Sequence, residues 1–391
     1  MAKLLLSCDE YIYHHDGKYY AGSQEKYDFF QRYLRVFEEL RIAVRCIDEP
    51  NLKQSRVELA DPRIDICPIP IFHGPKQYIT KYRDVGKAIK NAVNGCHAAI
   101  LRLPSTVAQR ISKQVINAGI PYATEIVFDA HDGAETSENI IEKMLWRIIN
   151  CQMKTTCATA NGVACVTEHY LQKRYFSKQT NHFTSNYSTL ALDKSFFAEP
   201  KSFPQHQPLT IAHVSNQIGL DGRKGEANLI QALGILKQEG IIINLKLAGD
   251  DWDDSATKIK KYAEKYGVSE QIECVGYLSR EQLNDFLDNA DLFVLPTKAE
   301  GLPRVIIEAI AKGLPTITTP ASGNPELVEQ ELLVDYDDIA TLAEKIKLVI
   351  SDKTLYEQTS RRNIEHSKQY EASLLEQRRD KFYANLKNCI K

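Results

Sequence analysis

Two glutamates stand in the stretch AEGLPRVIIEAIAKGLP, which runs from 299 to 315. Glu300 precedes a Gly-Leu-Pro turn, and Glu308 falls further on, inside an otherwise apolar helical run. A carboxylate in an apolar helix needs hydrogen-bond donors, and the hydroxyls of a ribose would supply them. A core glutamate held by a cap or a salt bridge is the competing reading of Glu308. Glu300, on the loop, is placed to meet the hydroxyls of a sugar. Between the two acids the helix opens near Pro303, a residue suited to a first turn because its missing N–H would be unpaired there anyway. The free amides and the dipole of that turn favour an anion. The chemistry implied is a phosphate with hydroxyl-bearing groups on either side.

Those residues need elements to hold them. The strand LFVLPT (292–297) feeds the Glu300 loop, and strand-like runs alternate with helix-like runs through most of the chain. In the first half the strands are KLLLSC (3–8), RIAVRCID (41–48), AAILRLP (98–104), PYATEIVF (121–128) and GVACVTE (162–168), with helices over 27–40 and 111–119. The stretch 196–210 carries three prolines without periodicity and reads as a linker. Alternation restarts with strands at 209–215, 243–249, 272–277, 292–297 and 315–320, and helices at 226–240 and 280–290. From about Asp337 onward the chain is helical and highly charged. Such alternation implies α/β domains with doubly wound parallel sheets. A chain of 391 residues suits two of them. The boundaries expected are 1–203 for the first domain, 204–372 for the second, and a final helix over 373–391 that crosses back to the first.

The run EGLPRVIIEAIAKGLPTITTPASGNPELV resembles the glutamate–seven–glutamate signature of the retaining family 4 glycosyltransferases, at Glu300, Gly301, Pro303, Glu308, Ala309, Ala311, Gly313, Leu314, Pro315, Gly323, Pro325 and Glu326. HVSNQIGLDGRKGEANLIQAL (213–233) is similar to the family's phosphate-binding segment, with Lys224-Gly225 opening a helix. Gln217 occupies what looks like the family's arginine position, and Arg223 beside the lysine is the expected second positive charge. LAGDD (247–251) resembles the family's Gly-Asp loop, and ECVGYLSREQL (273–283) its base-binding turn, with Ser279 as N-cap. In the first half, EIVFDAHDGAE (125–135) carries His131 at a strand end, similar to the family histidine that faces the donor sugar.

The resemblance implies the GT-B fold of two facing Rossmann-like domains, with the donor in the second. It gives catalytic roles to Glu300, Lys224, Arg223 and His131. It gives donor binding to Glu308, Gly301, Leu302, Arg304, Tyr277, Gly249 and Asn216. The implied donor is a UDP-sugar or GDP-sugar, with no metal or further cofactor required; Asp251-x-Asp253 reads as an acidic helix start rather than a metal pair. The implied acceptor is a hydroxyl of a glycan or a lipid-linked saccharide, as in relatives that build surface polysaccharide. Lys173 and Arg174 are candidates for contact with an acidic acceptor or lipid phosphate. The first domain lacks the family's usual Gly-Gly loop. In its place is a long, tyrosine-rich loop over 9–30, where Gly17 or Gly22 would be the close-approach glycine and the tyrosines would pack or stack on sugars.

Composition sets limits on the alternatives. Apolar residues make up 43% and charged residues 26%, and the formal net charge of −2 speaks against a nucleic-acid binder. Nine scattered cysteines with no Cys-x-x-Cys pair read as reduced thiols, packed as small core residues, in a cytoplasmic protein. The opening residues are too short an apolar run for a signal peptide. Contact with the inner membrane would be peripheral, and the basic helical run 76–93 is either a candidate surface for anionic headgroups or, the preferred reading, an ordinary solvated face. A nucleotide-sugar epimerase on the same fold and a non-catalytic sugar-nucleotide-binding subunit are the rival readings. A dinucleotide oxidoreductase is disfavoured because no G-x-G-x-x-G follows either opening strand.

Overall fold

The computed structural model describes all residues except 73–76, 78, 79, 138, 177–181 and 221. The chain divides into two compact units. The first comprises Met1–Tyr187 and Glu376–Lys391, and the second Ser188–Leu375.

The first unit is built on a seven-stranded sheet. Its strands are β1 (Lys3–Ser7), β4 (Glu39–Ile42), β7 (Ile64–Ile66), β9 (Ala98–Leu103), β10 (Tyr122–Ile126), β11 (Gly162–Cys165) and β12 (Phe183–Asn186). The order is β12-β11-β10-β9-β1-β4-β7, with every pair parallel. A parallel sheet covered on both faces calls for unbroken apolar runs. Leu4, Leu5 and Leu6 in the central strand are accordingly fully buried, each contributing about 1.5–3 kcal/mol by removal from water.

The segment expected as a long loop over 9–30 is instead a hairpin followed by a helix. Strands β2 (Tyr11–His15) and β3 (Lys18–Ala21) pair antiparallel about Asp16-Gly17, both at positive φ. That is the backbone a two-residue hairpin turn requires. The hairpin joins a second sheet of order β6-β3-β2-β5-β8, with β5 at Arg45–Asp48, β6 at Val57–Glu58 and β8 at Ile69–Pro70. Gly17 is therefore a turn glycine, and Gly22 packs against Tyr13 and Arg56. The helix expected over 27–40 runs over Gln24–Gln31, with a 3-10 turn at Arg32–Arg35. The strand expected over 41–48 is two strands, β4 and β5, in different sheets. The chain switches sheets at Ala43-Val44, which are wholly buried.

The final helix, Ala372–Lys387, supplies the first unit with a side chain at its core. The Glu125 carboxylate on β10 is buried and accepts from the hydroxyls of Tyr33 (3.0 Å), Tyr187 (2.8 Å) and Tyr383 (2.8 Å), and from Arg32 (3.2 Å). Burial alone would raise its pKa. The charges of Arg32 and Arg102 and the tyrosine hydroxyls outweigh burial and hold it below the ordinary carboxylate range.

The second unit has one five-stranded parallel sheet of order β15-β14-β13-β16-β17. Its strands are β13 (Leu209–Gln217), β14 (Ile243–Asp250), β15 (Ile272–Gly276), β16 (Leu292–Leu295) and β17 (Thr316–Thr318). The strand order reverses between β13 and β16, and such a switch point opens a crevice at the carboxyl ends of the strands. The proline-bearing stretch after 196 is pinned to this unit. Ala198 N–H donates to the Ala311 carbonyl (3.0 Å), and Lys201 N–H to Ser360 Oγ (2.7 Å). All nine cysteines are free, and the expectation that all are core residues is corrected. Cys8, Cys96, Cys157 and Cys165 are buried, four others are half-buried, and Cys151 is exposed.

Candidate functional site

The loops that follow β13 and β16 meet at the switch point of the second unit. The β13 side begins with a register shift against β14 between Val214 and Gln217, which leaves Asn216 and Gln217 exposed at the strand end. Gly249, at φ +151, lies so close that a Cβ there would stand 2.5 Å from the Ser215 carbonyl oxygen. The loop then enters the Glu226–Gln238 helix through Gly225, at φ +83. A Cβ on Gly225 would stand 2.1 Å from the Pro296 carbonyl oxygen, so both conformation and space require glycine.

Backbone bonds tie the two loops together. The Arg223 carbonyl accepts from Lys298 N–H (2.8 Å). The Thr297 hydroxyl lies 3.0 Å from the same carbonyl and 3.2 Å from Glu300 Oε1, and donates to one at a time. On its far side the acid loop rests on the Ser-Gly-Asn-Pro turn. Glu300 N–H donates to Ser322 Oγ (3.4 Å), Gly323 N–H to the Gly301 carbonyl (3.0 Å), and Asn324 Nδ2 to Thr318 Oγ1 (3.0 Å). On this frame Lys224 Nζ is hydrogen-bonded and ion-paired to Glu300 Oε1. The lysine keeps about a quarter of its side chain exposed and the glutamate about an eighth, so both can reach a ligand. Arg223, next to the lysine, is exposed.

The second acid sits on the Arg304–Ala311 helix, whose other inner residues, Ile306, Ile307, Ala309 and Ile310, are fully buried. Glu308 is 8% exposed. The helix begins at Arg304, one residue later than Pro303, which stands at the N-cap position. Proline offers no side-chain acceptor, so the amides of the first turn have no side-chain cap at that position. Gly301 and Leu302 are buried just ahead of it, and Arg304 is exposed on its first turn. At the other edge of the sheet Tyr277 is exposed, following Gly276 at φ +75. Ser279 caps the Arg280–Asp288 helix in a reciprocal capping box with Gln282. Asp251 Oδ1 accepts from Ala256 N–H (3.2 Å), which is a helix-start role.

Sequence reasoning passed over a buried pair beneath the Lys224 loop. Glu226, the first residue of its helix, is 1% exposed. Its Oε1 stands 3.5 Å from His213 Nε2 and accepts from Ser215 Oγ at 3.1 Å. His213 is itself wholly buried, with Nδ1 2.9 Å from the Val294 carbonyl. Burial would raise the Glu226 pKa, but hydrogen bonding and charge from His213, with Ser215 assisting, hold it below the ordinary range. An acid directly after Lys-Gly reads in sequence as an ordinary first-turn residue; only the packing reveals its burial.

His131 belongs to the first unit. It is the second residue of the Ala130–Thr136 helix, just past the end of β10, with Nδ1 3.6 Å from Asp132 Oδ1. Nearby, Arg174 Nε pairs with buried Asp129 (2.8 Å), and Tyr170 donates to Asp132 (3.0 Å). The Arg174 charge expected for an acidic acceptor is thus largely met within the unit.

A chain of two doubly wound parallel sheets in these strand orders has the GT-B fold, and the protein is a glycosyltransferase. Residues 203–366 match the family model described as glycosyl transferases group 1. Over 389 residues it is 26% identical to protein CapJ of Staphylococcus aureus, covering 96% of this chain and 93% of CapJ. Over 133 residues it is 33% identical to the amylovoran biosynthesis glycosyltransferase AmsK of Erwinia amylovora, covering 32% of this chain and 31% of AmsK. The crystal structure of Anabaena Alr3699/HepE in complex with UDP superposes with a TM-score of 0.65 at 14% identity, covering 96% of this chain and 98% of that one.

Proposed function

We propose that the protein is a retaining family 4 glycosyltransferase that moves a hexose-type sugar from a UDP- or GDP-linked donor to a glycan or lipid-linked saccharide during surface polysaccharide biosynthesis. The observation that carries this reading is the meeting of Lys224 and Glu300 at the switch point, beside a helix start without a side-chain cap. Two relatives lend support: AmsK is named for polysaccharide biosynthesis, and HepE is a fold neighbour in complex with UDP. In this reading Lys224, Arg223 and the amides near Gly301 and Leu302 stabilise the charge that develops on the departing diphosphate. Glu308 holds the ribose, with Arg304, Gly249, Asn216 and Tyr277 around the nucleotide. Glu300 orients the sugar, and His131 keeps the catalytic role that the family resemblance gives it. A departing phosphate oxygen takes the acceptor proton, so no side-chain base is required, and Lys224, Arg223 and the helix amides supply the positive charge for which a divalent cation would otherwise be needed. Peripheral contact with the cytoplasmic membrane face belongs to the same reading, because a lipid-linked acceptor is presented there.

The test is a thermal-shift screen of UDP-, GDP-, ADP- and dTDP-sugars, in which the true donor raises Tm. Product anomer analysis by NMR then decides retention. Replacing Arg223 by alanine should lower kcat/KM by about tenfold or more. A screen in which no sugar nucleotide stabilises the protein overturns the reading.

A further inference from the structure

The helix Ile140–Thr159 in the first unit carries an apolar face that no described residue of the unit covers. Ile140 is 77% exposed, Ile141 65%, Met144 59%, Ile148 51% and Leu145 39%. At 3.6 residues per turn these five fall on one arc of the first three turns. The inner side is fixed independently. Trp146 packs on Gly133, where a Cβ would stand 2.8 Å from its ring, and lies 5.7 Å from the Phe128 ring. Ile149 gives its carbonyl to Gln109 Nε2 (3.2 Å), and Met153, Thr156 and Cys157 are buried. The exposed aliphatic groups therefore point away from the fold. Five large aliphatic side chains grouped on one helix face exceed the scattered exposure of an ordinary surface.

One edge of the apolar arc is basic. Lys143 and Arg147, one turn apart, and Lys154, two turns further on, fall on the side of the helix next to Ile140 and Met144. Glu142 is the one acid on the helix. Its Oε2 accepts from Ser137 (3.0 Å), and Glu135 stands 3.9 Å from Arg147. The neighbouring Thr106–Asn117 helix extends the surface. Its Gln109 holds the apolar helix, while the next residue, Arg110, lies 4.6 Å over the ring of Tyr82, which is 55% exposed. Arg83, Lys87 and Lys90 are exposed on the Tyr82–Ala92 helix. An aliphatic stripe flanked by cations matches an anionic lipid surface, with acyl chains for the stripe and headgroup phosphates for the edge. A protein partner would be met just as well by a neutral rim.

We infer that the first three turns of Ile140–Thr159 are a membrane-docking face, which seats the enzyme on an anionic bilayer through Ile140, Ile141, Met144 and Ile148. The expectation from sequence placed membrane contact on the basic run 76–93, of which 76, 78 and 79 lie outside the described residues. The apolar component stands on the other helix. This inference rests on the proposed reading only in taking the acceptor to be lipid-linked; docking itself needs no donor.

The experiment is flotation of the full chain with mixed phosphatidylglycerol–phosphatidylcholine vesicles, against phosphatidylcholine alone, without sugar nucleotide. The wild type should float with the anionic vesicles. Ile140→Ser/Met144→Ser/Ile148→Ser should reduce the bound fraction at least tenfold with Tm unchanged. Lys143→Glu/Arg147→Glu should abolish the preference for anionic lipid. A wild type that stays unbound, or a triple variant that binds as well as wild type, overturns the inference. So does a wild-type dimer in sedimentation that the triple variant splits, since the face would then cover a second copy. Flotation without any donor-induced thermal shift would leave docking intact and defeat the donor reading instead.

Discussion

Lys224 and Glu300, from loops on adjacent strands, are bonded to each other through Nζ and Oε1. In the proposed reading one belongs to the diphosphate and the other to the sugar, so a donor must replace their mutual contact with its own. Removing the acid should therefore separate nucleotide binding from transfer. Glu300→Gln should bind UDP about three- to fivefold more tightly, the ~1 kcal/mol scale of a partly exposed pair. The same variant should lose about 100-fold in transfer. Calorimetry with UDP and initial-rate assays check the two halves, and a parallel fall in both would refute the division of labour.

Gly225 is constrained both by its φ of +83 and by the Pro296 carbonyl. Gly225→Ala should destabilise the protein by about 3 kcal/mol or more, because backbone strain and a clash with main chain act together. Gly240, also at positive φ but facing open space, is the control. Its alanine variant should cost only about 1 kcal/mol. Urea midpoints for the two variants measure the contrast.

Glu226 links stability to acidity. Its folded pKa is depressed, so the stability it contributes is complete above the ordinary glutamate range and is lost as pH falls through the lowered value. Glu226→Gln should therefore cost stability near neutral pH, with the difference from wild type shrinking once pH falls below the unfolded glutamate value and vanishing below the depressed folded one. Denaturant midpoints across that window should converge for the two proteins. Parallel curves would mean that the carboxylate charge is not what His213 and Ser215 hold.

The Glu125 cluster predicts an asymmetry between its members. Glu125→Ala strands three buried tyrosine hydroxyls and the Arg32 guanidinium, and should cost about 3–5 kcal/mol. Tyr383→Phe removes one donor of four and should cost about 1–2 kcal/mol. The measurement is thermal and urea unfolding followed by tryptophan fluorescence, since Trp146 lies in the same unit.

The parts legible in sequence are those where local chemistry and fold agree. Lys224-Gly225 and the Glu300 loop stand out because a helix start, a proline and a positive-φ glycine are each a local demand. Buried parallel strands such as Leu4–Leu6 are legible for the same reason. The hairpin at Asp16-Gly17 carries its turn signal, but its alternation is masked by tyrosines and histidines that pack partly and point both ways. The single strand expected over 41–48 reads as continuous because Ile42, Ala43, Val44, Cys46 and Ile47 follow one another with no glycine or proline between them, and nothing local marks the change of sheet at Ala43-Val44. The burial of Glu226 and the outward face of Ile140–Ile148 are invisible by nature. Each depends on what lies beside the helix, which is a property of packing and not of the helix.

The first unit is interrupted in the chain by the whole of the second, and Tyr383 closes on Glu125 only from the last stretch. During synthesis, residues 188–375 emerge from the ribosome before that stretch does. The second unit can thus finish folding while the first still waits with an open seam at Glu125. Vectorial translation inverts the expected order, and the half made first is completed last.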